Sequence, residues 1–311
     1  MAPQDQEAPS SRELCDANYE WRDGLFVRRS GVQHREEEYG SAGFALLRAM
    51  QERHFWYRGR HRFLRYAVHS WSHRLKRETR PGKLQLGRTV DLGGGCGGWV
   101  RYLANCQELQ PSELALADSS RRALNGAVDA MPADVSRYQV DLLDLGWTQR
   151  WETVFLLDVL EHIPDDERVL AQIYHAMTPG GLLFITTPAL RIFWTWNDDL
   201  VHHQRRYSKT DFQRLASACG YHLLSARYFM FYLSPLLLVS RWATSRRARE
   251  PDAATQASMI AAMHQVPPLL INEAFAALFS LETPLGHWMP FPWGTSILAV
   301  LQKPASSLND V

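Results

Sequence analysis

Residues 89–100, TVDLGGGCGGWV, decide the fold of this 311-residue chain. A short apolar run ends in Asp91, and five glycines then follow within six residues. Because glycine has no Cβ and adopts positive φ values, such a loop lets backbone N–H groups approach a ligand closely. The stretch therefore predicts a strand, a ligand-binding loop and the beginning of a helix.

The glycines satisfy two known spacings at once. G-x-G-x-x-G, from Gly93 to Gly98, is the dinucleotide fingerprint, whereas D-x-G-x-G-x-G, from Asp91 to Gly97, is the loop that holds S-adenosylmethionine (AdoMet). After the next predicted strand, Asp118 stands where an acid accepts hydrogen bonds from both hydroxyls of a ribose. Both cofactors have a ribose, so these residues predict a nucleotide-like site and leave NAD(P) and AdoMet open.

Composition and charge narrow the class of protein. Hydrophobic residues make up 46% of the chain and charged residues 22%, which is typical of a globular domain. The net charge of +1 gives no overall field that would attract nucleic acid. The four cysteines contain no C-x-x-C pair, and the polar, acidic N-terminus does not resemble a secretory signal. We therefore expect a cytoplasmic protein with neither a disulfide framework nor a structural zinc site.

The longest apolar run is YFMFYLSPLLLV, residues 228–239, which contains Pro235. A helix that crosses a bilayer needs roughly 20 apolar residues, so this run predicts a buried strand and helix with no stable membrane insertion. The arginines that follow it leave weak binding to a membrane surface open.

Hydrophobic periodicity predicts the order of the elements. Residues 1–40 are rich in Pro, Ser and charge and are expected to be loosely ordered. An apolar residue recurs every four positions from Phe63 to Leu75, which predicts a helix. Short apolar runs then alternate with helix-like segments, as in a parallel sheet covered by helices. The runs lie at 88–92, 114–118, 138–141, 153–158 and 181–187.

Three further features favour AdoMet over NAD(P). The Asp91 carboxylate is placed to accept a hydrogen bond from an ammonium group, which AdoMet has and NAD lacks. Asp141 ends the third predicted strand, where it can accept from an adenine amino group. The chain also contains VFLLDVLEHI at 154–163 and TPGGLLFITTP at 178–188.

Taken together, these motifs resemble the class I AdoMet-dependent methyltransferases. The resemblance implies an α/β, Rossmann-like fold with a seven-stranded, mostly parallel sheet and an antiparallel last strand. A helical N-terminal extension and a helical insertion before the last strand would complete it. Blocks at 54–61 (HFWYRGRH), 197–221 (including HHQRRYS) and 267–300 are similar to a branch of uncharacterised methyltransferases, and the match covers roughly residues 50–303.

The resemblance also sets the expected boundaries. The methyltransferase domain is expected at 41–303 and the tail at 304–311. Within the domain we expect N-terminal helices at 41–80, an AdoMet-binding core at 87–228, a helical insertion or lid at 229–288 and the last strand at 293–303. The apolar insertion suggests either a hydrophobic acceptor or a homodimer interface.

Roles in cofactor binding follow from the motif positions that match the family. Gly93, Gly95 and Gly97 are expected to approach the methionine part of AdoMet, and Asp91 to order that loop or its ammonium. The other expected contacts are Asp118 with the ribose, Asp141 and the Leu142 backbone with adenine, Asp158 with the methionine end and Arg60 with the methionine carboxylate. Cys96 is interpreted as a small side chain that packs against the sheet.

The acceptor side of the site is less constrained by the motifs. His162, and His203 oriented by Asp198, are candidate general bases, which are needed only if the acceptor is protonated. Arg206 could clamp an anionic group, and Trp194 and Tyr207 are further candidates for acceptor contacts; a salt-bridged latch explains this polar loop equally well. A metal site formed by Asp198, Asp199, His202 and His203 is not expected, because nothing fixes a third or fourth ligand.

The sequence thus predicts in-line methyl transfer from AdoMet to a small-molecule or lipid-linked acceptor. The alternatives are an NAD(P)-dependent oxidoreductase and a methyltransferase fold that serves only as a binding module. No pair of the Tyr-x-x-x-Lys kind supports the first alternative, and the intact acidic residues argue against the second.

Overall fold

In a computed structural model of the chain, residues 17–33, 50–75, 77–80, 82–236, 238–239 and 265–305 are described. Their strands form one sheet. These are β1 (Tyr19–Arg22), β2 (Leu25–Arg28), β3 (Glu78–Arg80), β4 (Lys83–Leu92), β5 (Leu109–Asp118), β6 (Ser136–Gln139), β7 (Trp151–Leu157), β8 (Met177–Pro188), β9 (His222–Phe229) and β10 (Ser296–Gln302). The helices are α1 (Phe55–Arg74), α2 (Gly98–Ala104), α3 (Arg121–Gly126), α4 (Asp166–Ala176), α5 (Trp196–Leu200), α6 (Lys209–Ala218) and α7 (Leu269–Trp288).

The strand order confirms the predicted fold class. The sheet runs β1-β2-β6-β5-β4-β7-β8-β10-β9, with β3 paired to β4. Pairing is parallel from β2 through β8, and β10 is antiparallel to both β8 and β9. The seven strands from β6 to β9 make up the predicted sheet with its antiparallel last strand. The three short strands β1, β2 and β3 are additional.

The added strands correct two predicted segments. Residues 19–28 form a hairpin at the sheet edge, although residues 1–40 were expected to be loosely ordered. Its turn is Asp23-Gly24, both at positive φ, as in the type I′ turns of tight hairpins. The hairpin is anchored where Tyr19 stacks on Trp147, with ring centroids 5.1 Å apart. Likewise, residues 78–80 form β3 within the segment 41–80, which was predicted to be helical.

Two helices of the sheet's outer layers begin with capping side chains. The Asp165 side chain accepts a hydrogen bond from the Arg168 backbone N–H and so caps α4. Ser208 and Asp211 form a capping box at the beginning of α6. Apolar faces of α4 and α6 cover one side of the sheet, and α1, α2 and α7 cover the other. Parallel strands buried on both sides explain why their sequences are continuous apolar runs.

Helix α7, the described end of the predicted insertion 229–288, lies on α1. The Asn272 side chain accepts a hydrogen bond from the Phe55 backbone N–H (2.8 Å) and donates one to the Arg53 carbonyl (2.9 Å). Asn272 therefore caps the beginning of α1 from another helix. Residues 240–264 of the insertion, 41–49 of the N-terminal segment and 306–311 of the tail lie outside the described residues. Of the described helices, none has the length and apolarity needed to span a membrane.

Gly59 of α1 lies directly against Phe279 of α7. A Cβ built on Gly59 would lie 1.9 Å from Cδ1 of Phe279, whose side chain is fully buried. A side chain at this position therefore forces the two helices apart. A helical glycine that meets nothing within 4 Å, Gly126 at the end of α3, offers a matched comparison.

We predict that Gly59→Ala lowers the free energy of unfolding by about 1–3 kcal/mol, because overpacking outweighs the better helix propensity of alanine. Gly126→Ala is expected to leave stability unchanged or to raise it by up to about 1 kcal/mol. Urea unfolding of both variants measures the difference. Equal stability of the two variants would contradict the close helix contact.

Candidate functional site

A cavity of about 710 Å³ lies at the carboxyl ends of the parallel strands. Strand order reverses at β4, which has β5 on one side and β7 on the other, and open α/β sheets bind ligands at this switch point. The cavity is lined by eleven of the residues that were predicted to bind cofactor or acceptor, or to act in catalysis. These are Arg60, Asp91, Gly93, Gly95, Asp118, Asp141, Leu142, Asp158, His162, His203 and Arg206.

The glycine loop between β4 and α2 has the shape that the sequence predicts. Gly93 has a φ of +69°, and a Cβ there would lie 2.5 Å from the Val159 side chain. A Cβ on Gly94 would lie 2.5 Å from Asp91 Oδ2. The loop backbone can thus approach both neighbouring groups only because these positions are glycines. Gly97 caps the beginning of α2 and does not line the cavity, and Cys96 is 2% exposed, in agreement with a packing role.

Asp91 is a buried carboxyl at the end of β4. It is 2% exposed, and its Oδ1 accepts no hydrogen bond from the part of the chain that the structure describes. Burial raises the pKa of the Asp91 carboxyl to about 7, although the charge of Arg60 acts in the opposite direction. The chain therefore holds an unsatisfied acceptor beside the glycine loop, which is costly unless a donor binds there.

The two other predicted cofactor acids lie at neighbouring strand ends. Asp118, at the end of β5, accepts hydrogen bonds from the backbone N–H groups of Gly95 (2.9 Å) and Ser120 (2.8 Å). Asp141 follows β6 and accepts from the backbone N–H of Leu143 (2.9 Å). The Asp118 carboxylate thus links the glycine loop to the loop after β5, and both acids line the cavity.

Arg60 and Asp158 form an ion pair across the cavity wall. The guanidinium of Arg60 also lies over the rings of Trp56 (4.9 Å) and Tyr57 (5.1 Å), which fixes its position. Asp158 has a φ of +57°, an uncommon conformation for a residue other than glycine and one that often occurs at functional sites. The ion pair thus brings together two predicted cofactor residues: Arg60, expected to bind the methionine carboxylate of AdoMet, and Asp158, expected to lie at its methionine end.

Asp198 is the fully buried centre of the polar loop after β8. It accepts from the Thr195 backbone N–H (2.8 Å), from His203 Nδ1 (2.9 Å) and from two nitrogens of Arg206 (2.8 and 3.1 Å). Burial alone raises the pKa of this carboxyl, but the hydrogen bonds from His203 and Arg206 outweigh burial and lower the pKa to about 2. Asp198 is absent from the cavity lining, so it orients His203 and does not itself reach a substrate.

The structure corrects the acceptor contacts predicted for this loop. Tyr207 is 1% exposed, and its hydroxyl donates to Asp166 Oδ2 at 3.0 Å, so its side chain belongs to the core. Trp194 does not line the cavity, and its indole N–H donates to Asp199. Arg206 lines the cavity, but Asp198 and the carbonyls of Ala189 and Thr295 already hold its guanidinium. These contacts agree with the salt-bridged latch more than with an anion clamp.

Glu161 is a cavity residue that the sequence reasoning did not single out. It is 1% exposed, and burial together with the charge of Asp158 raises the pKa of its carboxyl well above the ordinary value. Burial also lowers the pKa of His162 to about 4, with a smaller effect of His203, so this imidazole is neutral at pH 7. The signal was present in the sequence as a lone acid among apolar residues, VLEHI.

Comparison with known sequences gives one family match and two curated relatives. The model of the methyltransferase domain family matches residues 58–226. Phosphoethanolamine N-methyltransferase 2 of Caenorhabditis elegans is 31% identical over 36% of this chain and 26% of that protein. Trans-aconitate 2-methyltransferase of Variovorax paradoxus is 28% identical over 33% of this chain and 39% of that protein. The chain thus aligns with about a quarter to two fifths of the length of these relatives.

Two solved structures share the fold over most of the chain. One is a methyltransferase in complex with the Haloferax volcanii Trm112 methyltransferase activator, with a TM-score of 0.53, 17% identity and coverage of 88% of this chain and 100% of that one. The other is Haemonchus contortus phosphoethanolamine N-methyltransferase 2 in complex with S-adenosyl-L-methionine, with a TM-score of 0.50 and 16% identity. That match covers 86% of this chain and 58% of that one.

The raised pKa of Asp91 predicts a specific pH dependence of stability. Between its ordinary pKa of 3.8 and about 7, the unfolded chain is ionised at this residue while the folded chain keeps the proton. Stability therefore falls as pH rises through this range and is constant above it. We predict that the unfolding free energy of Asp91→Asn, relative to that of the unmodified protein, increases by about 2 kcal/mol as the pH rises from about 5.5 to 8.

Asp144→Asn is the matched control for this measurement. Hydrogen bonds from Ser30 and Arg28 hold the pKa of Asp144 below its ordinary value of 3.8. The contribution of Asp144 to the unfolding free energy therefore changes only at a pH more acidic than the range of the measurement. Urea unfolding at several pH values should give a constant difference for Asp144→Asn. A constant difference for Asp91→Asn as well would show that the Asp91 carboxyl is ionised in the folded protein throughout.

Proposed function

The chain belongs to the methyltransferase domain family, whose model matches residues 58–226, and we propose that it transfers a methyl group from AdoMet to a small-molecule or lipid-linked acceptor. The family predicted from the sequence is thereby confirmed, and AdoMet is the cofactor that we propose for it. Neither the family match nor the curated relatives support the NAD(P)-dependent oxidoreductase alternative.

One observation carries the proposal: a glycine loop and five acidic side chains line the same cavity at the strand switch point. The acids are Asp91, Asp118, Asp141, Asp158 and Glu161. AdoMet is a sulfonium with an ammonium group and a ribose, so it offers positive charge and hydrogen-bond donors to such a wall. The residues present therefore fit this cofactor.

The fit can be stated group by group. Asp91 Oδ1, a buried acceptor beside the loop, would accept from the ammonium, and the loop at Gly93 and Gly95 would lie against the methionine part. Asp118 would accept from the ribose hydroxyls while it keeps its bonds to the loop. Asp141 and the Leu142 backbone would meet the adenine, and Arg60 the methionine carboxylate.

AdoMet supplies an already activated methyl group, so the chain mainly aligns the acceptor with it. Such positioning lowers a barrier by on the order of 7–11 kcal/mol. His203, held by Asp198, and the neutral His162 present imidazoles to the cavity. Either can take a proton from a hydroxyl, amine or acidic carbon of an acceptor.

The acceptor class rests on the relatives and on the exposed apolar side chains of α7. The two curated relatives are named for phosphoethanolamine and trans-aconitate, which are small molecules. The lipid-linked option is supported by helix α7, which packs on α1 and exposes Leu270 (84%) and Trp288 (80%). Cytoplasmic location and a homodimer stay predictions of the sequence.

We predict that Asp118→Ala weakens AdoMet binding by about 10- to 100-fold, since hydrogen bonds to a carboxylate contribute about 1.5–3 kcal/mol. Isothermal titration calorimetry with AdoMet measures the change. Asp129→Ala is the control, because Asp129 is exposed and does not line the cavity. Absence of AdoMet binding by the unmodified protein, or tighter binding of NAD(P), would overturn the proposed function.

A further inference from the structure

Glu161, His162 and His203 form a compact cluster on the cavity wall. One ligand atom from each residue lies within 4.8 Å of the other two. Donor atoms around a tetrahedral ion lie roughly 3.4 Å apart, given bonds of about 2.0–2.1 Å. Small side-chain rotations therefore suffice to bring the three donors onto one ion.

The two imidazoles have nitrogens free for such a role. His203 uses Nδ1 for its hydrogen bond to Asp198, so that Nε2 remains. His162 Nδ1 has no hydrogen-bond partner among the described residues, while the imidazole also hydrogen bonds to the Val201 backbone. A carboxylate that holds the far nitrogen of a histidine is the usual arrangement behind a metal-binding imidazole, because it fixes the ring and increases its basicity.

Glu161 supplies the third and anionic donor. Its side chain is almost fully buried, and neither carboxylate oxygen accepts a hydrogen bond from another residue in the described part of the chain. An unpaired carboxylate in such a place is costly, and a bound cation removes that cost. Neither Arg60 nor Arg206 donates a hydrogen bond to this carboxylate, since Arg60 is paired with Asp158 and Arg206 with Asp198.

We propose that Glu161, His162 and His203 bind a divalent transition-metal ion of the zinc or cobalt type. Two imidazoles and one carboxylate suit these ions, whereas Mg²⁺ and Ca²⁺ prefer sites made of oxygen ligands alone. The site departs from the sequence expectation of no metal. It shares only His203 with the set Asp198, Asp199, His202 and His203, which was rejected for lack of ligand geometry.

The position of the cluster gives the ion a role at the acceptor. All three residues line the cavity that also contains the glycine loop, so an ion here faces the space beside the cofactor. Three protein ligands leave a coordination position for an outside ligand. An oxygen of the acceptor would fill this position, so the acceptor would be a hydroxyl or a carboxylate; this last step rests on the proposed function. With the ion bound, the two imidazoles act as its ligands and no longer as general bases.

The test is metal binding by the full chain after treatment with a chelator and without AdoMet. Titration with Co²⁺ should show one ion per chain by calorimetry and visible absorption bands of a low-coordinate Co²⁺ site, and Zn²⁺ should displace it. Glu161→Gln, which keeps the side-chain shape, should weaken Co²⁺ binding by at least about 10-fold. Mg²⁺ should not compete.

His202→Asn is the matched control. His202 is the exposed neighbour of His203 with a φ of +58°, a conformation that asparagine tolerates, so Co²⁺ binding should be unchanged. Circular dichroism confirms that each variant is folded. Failure of the unmodified protein to bind one Co²⁺, or equal binding by Glu161→Gln, would overturn the metal site. Calorimetry with AdoMet on the same sample separates the two proposals, since AdoMet binding without Co²⁺ binding contradicts the metal site alone.

Discussion

The buried carboxylate of Asp198 holds together the part of the molecule on which the acceptor side of the cavity depends. It accepts hydrogen bonds from the Thr195 backbone N–H, the His203 imidazole and the Arg206 guanidinium at the same time. Arg206 in turn donates to the carbonyl of Ala189, next to the end of β8. One charge thereby ties the loop after β8 to the sheet and sets the direction of the His203 imidazole.

The opposite wall of the cavity is built on a different basis. Its acids lie at the ends of parallel strands, where the sheet places them side by side without a shared partner. Asp118 is satisfied by backbone donors, whereas Asp91 is buried with one oxygen unpaired. The unpaired oxygen lowers the stability of the free protein, and a bound ligand with hydrogen-bond donors offsets this cost, as is common at binding sites.

Much of the fold could be predicted because its signals are local. The apolar runs, the capping residues of α4 and α6 and the glycine loop each lie within a few residues of the element they define. The hairpin β1–β2 was missed for the opposite reason. Its strands are four residues each, and the rings that hold Tyr19 belong to Tyr138 and Trp147, more than one hundred residues later. Only the turn at Asp23-Gly24 was visible locally.

The residues of the site also divide into those that local sequence could predict and those that it could not. The cofactor acids were predictable because a residue at the end of a parallel strand has a fixed edge of the sheet to face. In the loop after β8, polarity alone could not tell Tyr207, which turns into the core, from His203, which turns to the cavity. Glu161 was overlooked because the sequence shows an acid among apolar residues but does not show that its carboxylate has no hydrogen-bond partner in the described part of the chain.

The cap that Asn272 places on α1 joins positions 217 residues apart. During synthesis the first turn of α1 therefore leaves the ribosome long before its hydrogen-bond partner exists. Arg60, one turn further along, stands on a helix whose start is completed only when α7 has arrived. The cavity wall near the glycine loop is thus a late product of folding. A nascent chain that lacks its last fifty residues lacks both α7 and β10, so it has neither a finished pocket nor the strand that joins β8 to β9.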